Sequence, residues 1–287
     1  MKPRALLVTV RSLLPSLTPS ERRVGSAVLN DPGRVASMTI SRLATECGTS
    51  ETTVVRFCRS MGLKGYPELR VALASEAACA NTEQGRQMGS DIGPDDVVAD
   101  VVSKVCFADA RAIEETAGQL DTEVLAKVAL AAVRSRRIDI FGVGASSLVA
   151  LDLQQKLHRV GHTAFAFPDP NIAITSAALL GPGDLLLAIS HTGSTLDTLA
   201  VLKEAKSVGA TVAVVTNFPK SPLAQLSDHV LTTAARETTF RSGAMASRVA
   251  QLSVVDCLFA VVAQHHYLAT LRALDRTREA VSDRRLP

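Results

Sequence analysis

Residues 184–199 read DLLLAISHTGSTLDTL, and the fold of the larger part of the chain follows from this stretch. Leu185, Leu186, Leu187, Ala188 and Ile189 form a short unbroken apolar run, as expected of a parallel strand buried on both faces. The run stops at Ser190-His191-Thr192-Gly193-Ser194-Thr195, and Leu196, Leu199, Leu202 and Ala205 then recur at near-helical spacing. The stretch therefore predicts strand, hydroxyl-rich loop, helix. Such a loop turns backbone N–H groups and hydroxyls toward the positive end of a helix dipole, which suits a dianionic phosphate. A serine-rich capping turn is the plainer alternative. Four hydroxyls in six residues around Gly193 favour the anion site.

The same alternation extends in both directions. Residues 138–142, 162–167, 210–216 and 229–232 are short apolar runs separated by helical periods, and a long apolar helix is expected over 244–263. Four or five strands in this pattern predict a doubly wound parallel sheet covered by helices on both faces. Ligands in such sheets sit beyond the carboxyl ends of the strands. A second loop, Gly142-Val143-Gly144-Ala145-Ser146-Ser147, falls at that edge too. Its G-x-G is half of a dinucleotide fingerprint. Ser147 replaces the third glycine, however, and Asp169 comes 27 residues after Gly142, beyond Pro168. Ser146 and Ser147 fit better as hydroxyl contacts to a sugar or phosphate.

The first quarter is different in kind. Thr18-Pro19-Ser20-Glu21 combines a hydroxyl cap, proline at the first helical position and glutamate three after the cap, and the helix should end before Pro32. Over residues 38–57, Ala44, Gly48, Val54 and Phe57 have the spacing of two short helices crossing at a tight turn. Ser50 caps the second helix, Val54, Phe57, Cys58 and Met61 form its buried stripe, and Gly62 is a C-cap. Thr52, Thr53, Arg56 and Arg59 are expected on the opposite face. With Ser50, Glu51 and Lys64 they form a set able to read major-groove edges and grip phosphates. A solvated helix face is the alternative. Charge favours DNA, because residues 1–77 hold 11 Lys+Arg against 6 Asp+Glu, while the chain as a whole is only +3. One such helix reads a half-site, so a homodimer or homotetramer is implied.

The organisation expected is a helix-turn-helix domain over residues 1–80, a linker and connecting helix over 81–123, an α/β domain over 124–265 and a tail over 266–287. The glycine-rich, aperiodic stretch 81–94 marks the boundary. No apolar run approaches the ~18 residues of a membrane helix, so no membrane partner is expected. The basic start is interrupted by Arg11 and reads as an amphipathic helix rather than a leader. Five scattered cysteines without C-x-x-C suggest reduced thiols in the cytoplasm and argue against a metal site. No cofactor is expected.

At this point a family resemblance becomes specific. Residues 142–147, residues 190–195 and Ser221-Pro222-Leu223-Ala224 with Ser227-Asp228 resemble the sugar isomerase (SIS) phosphosugar-binding domain, whose sheet is flavodoxin-like. Preceded by Leu43-Ala44, Val55-Arg56-Phe57-Cys58 and Gly62-Leu63-Lys64-Gly65-Tyr66, the chain resembles the RpiR/MurR regulators over residues 1–80 and 124–265. The resemblance implies an α plus α/β protein that binds double-stranded DNA under control of a phosphosugar effector. It matches Ser146 to the hydroxyl of the first phosphosugar loop. It matches Ser190, Thr192 and Thr195 to the S-x-[ST]-G-x-[ST] loop that holds the phosphate. His191 departs from the usual polar residue there, though an imidazolium beside a phosphate is favourable. Glu237 and Arg241 correspond to a segment near the sugar. SIS domains also occur in sugar-phosphate isomerases, with Glu237 or His191 imaginable as the base. The helix-turn-helix favours sensing over turnover. A sensor of some other anion and a bare dimerising scaffold are the remaining readings.

Overall fold

The computed structural model describes residues 6–83, 91–237 and 244–282, without the side chains of 77–83. The chain divides into two compact units, Met1–Ala108 and Asp109–Pro287.

In the first unit α1 (Leu6–Leu13) runs into a single 3-10 turn and is followed by α2 (Pro19–Asn30), α3 (Pro32–Ser37), α4 (Ile40–Glu46), α5 (Glu51–Ser60) and α6 (Tyr66–Glu83). The Thr18–Glu21 capping box forms as its spacing requires, with Thr18 N–H donating to Glu21 Oε2 at 3.3 Å. Pro32 ends α2 and also opens α3, a short helix that the sequence did not announce. Val24, Val28, Leu43, Phe57, Leu69 and Leu73 close one core. Gly25 lets α2 approach it, since a Cβ there would lie 2.7 Å from Leu14 Cδ1. Helix α7 (Val98–Gln119) occupies the stretch expected to connect the domains, and the division between the units falls inside it.

The second unit continues with α8 (Thr122–Arg134), β1 (Ile138–Gly142), α9 (Ala145–Arg159), β2 (Ala164–Phe167), α10 (Pro170–Ala177), β3 (Leu185–Ile189), α11 (Leu196–Ser207), β4 (Thr211–Thr216), α12 (Pro222–Leu226), β5 (His229–Thr232), α13 (Ala246–His265) and α14 (Tyr267–Glu279). The five strands are parallel in the order β2-β1-β3-β4-β5. Alternate residues feed two cores. Ile138, Ile140, Leu185, Leu187 and Ile189 pack with α8, α9 and α13. Phe141, Leu186 and Ala188 pack with α10, α11 and α12. Such period-two division is what makes both central strands read as continuous apolar runs.

Two expectations change. Leu196 does not join the apolar stripe of α11; it is 79% exposed, and Thr198, Val201, Leu202 and Ala205 are the buried residues. The first residue of the helix stands clear of the sheet before the helix descends onto it. Helix α13 is, among the described residues, long and apolar enough by composition to span a membrane. Here it is a core helix, with eight residues buried and packing on α8, α9 and β4.

Asp139, a charge inside a buried strand, also acquires a cause. Arg137 donates to its two oxygens at 2.8 and 3.1 Å, and Ser176 Oγ donates at 2.6 Å. The guanidinium also lies 5.0 Å from the Phe165 ring centroid. Removing one member strands the others, whereas removing both ions relieves their desolvation. Asp139→Ala should cost roughly 3 kcal/mol in chemical denaturation, and the Arg137→Met/Asp139→Leu double variant should recover most of that loss.

Candidate functional site

In the first unit the helix-turn-helix forms from α4 and α5. Gly48 takes the turn at φ +56°, and Ser50 Oγ accepts from Thr53 N–H at 3.3 Å. Arg23 of α2 pins the turn, donating to the carbonyls of Cys47 and Gly48 at 2.7 and 2.8 Å. Thr52, Arg56 and Arg59 are exposed along one face of α5, and Lys64 is exposed beyond it. Thr53 is the exception to the expected face. It is 5% exposed, its hydroxyl 3.1 Å from Ser50 Oγ, because the cap draws it inward. Ser50 is thus occupied as a cap, and the Glu51 carboxylate accepts from Ser41 Oγ of α4. A depression of about 450 Å³ lies beside α2, but Arg22 and Arg23 on its wall already bond backbone carbonyls.

In the second unit strand order reverses between β1 and β3, so the loops that leave them diverge. Between these loops lies a cavity of about 250 Å³, lined by Ser146, Ser190, His191, Thr192, Thr195 and Glu237 together with Ser247 and four apolar residues. Gly142 makes the crossing possible, since a Cβ would sit 2.9 Å from both the Ile189 carbonyl and Ser146 Cβ. Gly193, at φ +63°, has no room either; its Cβ would collide with Ser221 and lie 2.9 Å from Thr216 Oγ1.

The β3 loop is held from behind and within. Asn217 N–H and Thr216 Oγ1 donate to the His191 carbonyl at 3.1 and 3.2 Å. Ser190 Oγ accepts from Gly193 N–H at 3.1 Å and pairs with Thr195 Oγ1 at 3.2 Å. The N-cap residues of α9, α11, α13 and α14 supply no side-chain cap, while those of α2, α3, α4, α5, α8, α10 and α12 do. Of the four, α9 and α11 begin at the loops that bound the cavity, where a bound anion would do what a cap does elsewhere.

Not every expected residue lines this space. Ser147 Oγ folds back to the Gly144 carbonyl at 2.7 Å, and Ser194 Oγ to the Thr192 carbonyl at 3.3 Å. Gly193 contributes backbone shape, and Arg241 lies outside the described residues. Sequence reasoning passed over Ser247 and Gln251. Ser146 Oγ donates to Gln251 Oε1 at 3.2 Å, and Ser247 N–H donates to Glu237 Oε1 at 2.7 Å. Both residues sit on the first two turns of an apolar helix, where two polar residues on a core-facing side were the available signal.

His191 packs edge-on against Phe218, ring centroids 5.6 Å apart. Burial pushes its imidazole below the ordinary 6.5, and the Glu237 carboxylate opposes that shift without reversing it. The free chain therefore keeps His191 neutral, not cationic as a phosphate neighbour would prefer.

Two family models match the chain. One is the helix-turn-helix domain of the rpiR family, over residues 4–80, and the other is the SIS domain, over residues 133–261. An uncharacterized HTH-type transcriptional regulator of Caldanaerobacter subterraneus is 37% identical over 281 residues, 98% of each chain. The chain belongs to the RpiR family of helix-turn-helix transcriptional regulators. Among solved structures, the Vibrio vulnificus NanR protein complexed with ManNAc-6P is 32% identical, with a TM-score of 0.62, covering 98% of this chain and 100% of that one. The sugar isomerase domain of an RpiR transcription factor from Sphaerobacter thermophilus is 25% identical with a TM-score of 0.58, covering 62% of this chain and 98% of that one. Membership sets the regulator apart from the isomerases that share the fold of its second unit.

A histidine held neutral by burial takes up its proton more readily when the chain unfolds. The regulator should therefore lose stability as pH falls below about 6.5 and gain nothing from His191 above it. Thermal melts between pH 5 and 8 should show a shallower acid slope in His191→Gln than in the parent.

Proposed function

We propose that the regulator holds DNA through α5 and that a phosphorylated sugar, bound in the cavity between the β1 and β3 loops, sets its affinity. The observation that carries this reading is the convergence of Ser146, Ser190, Thr192 and Thr195 and of the uncapped N-termini of α9 and α11 on one small cavity at the sheet's reversal point. The bound ManNAc-6P in the full-length relative NanR supports it. The volume suits a small metabolite, being under the ~300–1,000 Å³ typical of drug-sized ligands.

In this reading Ser190, Thr192 and Thr195 hold the phosphate with the first-turn amides of α11, and Ser146 approaches it from α9. Gly193, Ser194 and Ser147 act by shaping the loops that present those groups. Glu237 faces the sugar, and Arg241 is assigned to the ligand by resemblance alone. Thr52, Arg56, Arg59 and Lys64 contact DNA, with Ser50, Glu51 and Thr53 setting the pitch of α5. Each protomer reads a half-site, so the working form is a homodimer or homotetramer on a two-fold operator in the cytoplasm. The effector shifts DNA affinity only through its different affinity for the DNA-competent and DNA-incompetent arrangements, and DNA shifts effector affinity by the same factor.

A panel of sugar phosphates that includes ManNAc-6P should raise the melting temperature of the full chain, and Ser190→Ala should abolish the rise. On a duplex selected from random sequence, the active compound should change affinity by roughly 5–150-fold. Arg56→Ala should weaken the duplex about tenfold and lower the salt slope by about one. A chain that melts identically with every sugar phosphate would defeat the sensing half of the proposal.

A further inference from the structure

Among the described residues that line the cavity there is no Lys or Arg, and Glu237 supplies the carboxylate. Glu237 Oε2 and His191 Nδ1 are buried there without a hydrogen-bond partner, and so is Gln251 Nε2, behind Ser146. Glu237 does not turn freely there. Its Oε1 accepts from Ser247 N–H at 2.7 Å, in the first turn of α13, a helix whose N-cap residue Met245 supplies no side-chain cap. The carboxylate of Glu237 is thus the cap of α13, ten residues removed in sequence.

Two consequences follow from that bond. The positive end of α13 is already satisfied by an anion, so a ligand's phosphate has no reason to lodge beside it. The ligand is thereby oriented, phosphate toward α9 and α11, sugar toward Glu237. The second carboxylate oxygen, Oε2, can only accept. A buried acceptor left unpaired is costly, so the ligand group that meets it must donate. Hydroxyls and ammonium groups donate. A ligand carboxylate would instead bring a second negative charge against Glu237 inside a partly desolvated pocket.

We propose that Glu237 is the specificity-determining residue of the cavity, admitting phosphorylated sugars whose far end carries hydroxyl or ammonium donors and rejecting phosphorylated sugar acids. This rests on the phosphosugar reading above and narrows it to one chemical class.

Calorimetric titration of the full chain with ManNAc-6P, glucosamine 6-phosphate, glucose 6-phosphate and 6-phosphogluconate tests it, with inorganic phosphate as the common fragment. At least one of the first three should bind about thirtyfold tighter than 6-phosphogluconate, corresponding to about 2 kcal/mol. Glu237→Gln keeps an oxygen for Ser247 N–H, puts an NH2 donor in place of Oε2 and removes the charge. In that variant the ratio should fall to roughly threefold, chiefly because the acid binds better. Ligand-free melting of the variant close to the parent shows that α13 remains capped. The proposal is overturned if 6-phosphogluconate binds as tightly as its neutral counterparts, or if the ratio survives in Glu237→Gln; either result leaves phosphosugar sensing intact. If none of the four sugars binds beyond inorganic phosphate, the sensing reading falls and takes this one with it.

Discussion

The second unit depends on one close approach. Strands β1 and β3 lie side by side at the point where the sheet reverses its winding, paired down to Gly142 and Ile189. Gly142 permits this because nothing larger than hydrogen fits between its Cα, the Ile189 carbonyl and Ser146. With the backbones so near, α9 and α11 start at the same edge of the sheet, and their first-turn amides converge on one space. The cavity is a by-product of topology that the loop residues then fill with hydroxyls.

One wall of that space is firmly held. The β3 loop is clamped to the end of β4 through the His191 carbonyl and packed on Ser221 through Gly193, so few of its backbone groups are free to adapt. Another wall belongs to α13, reached through Glu237, Ser247 and Gln251. Because α13 packs along α8 and α9, an event in the cavity acts on a helix that runs the length of one core layer. The proposed effector would thus have a structural element to bias, as linkage between sites requires.

The first unit solves a different problem with similar means. A short recognition helix cannot hold its own orientation, so α5 is fixed by its buried stripe, by the Ser50 cap and by Arg23 gripping the turn from α2. The residues left on its open face, Thr52, Arg56 and Arg59, are spaced one and two turns apart.

Local patterns were legible along the chain because their physics is local. The Thr18 box, the Gly48 turn, the buried run 185–189 and the hydroxyl loop after it each follow from residues within a turn or two of one another. The order of the strands does not, since parallel pairing depends on which helix covers which face. Nor does the inward turn of Thr53, the exposure of Leu196, or the pairing of Asp139 with Ser176, 37 positions away. The meeting of Ser146 with Gln251, 105 positions apart, and of Glu237 with His191 likewise arises only when the sheet is assembled. Hydroxyls at a strand end were readable as a candidate anion site; the wall where Ser146, Glu237, Ser247 and Gln251 meet needed distant segments brought together, and no short-range pattern encodes that.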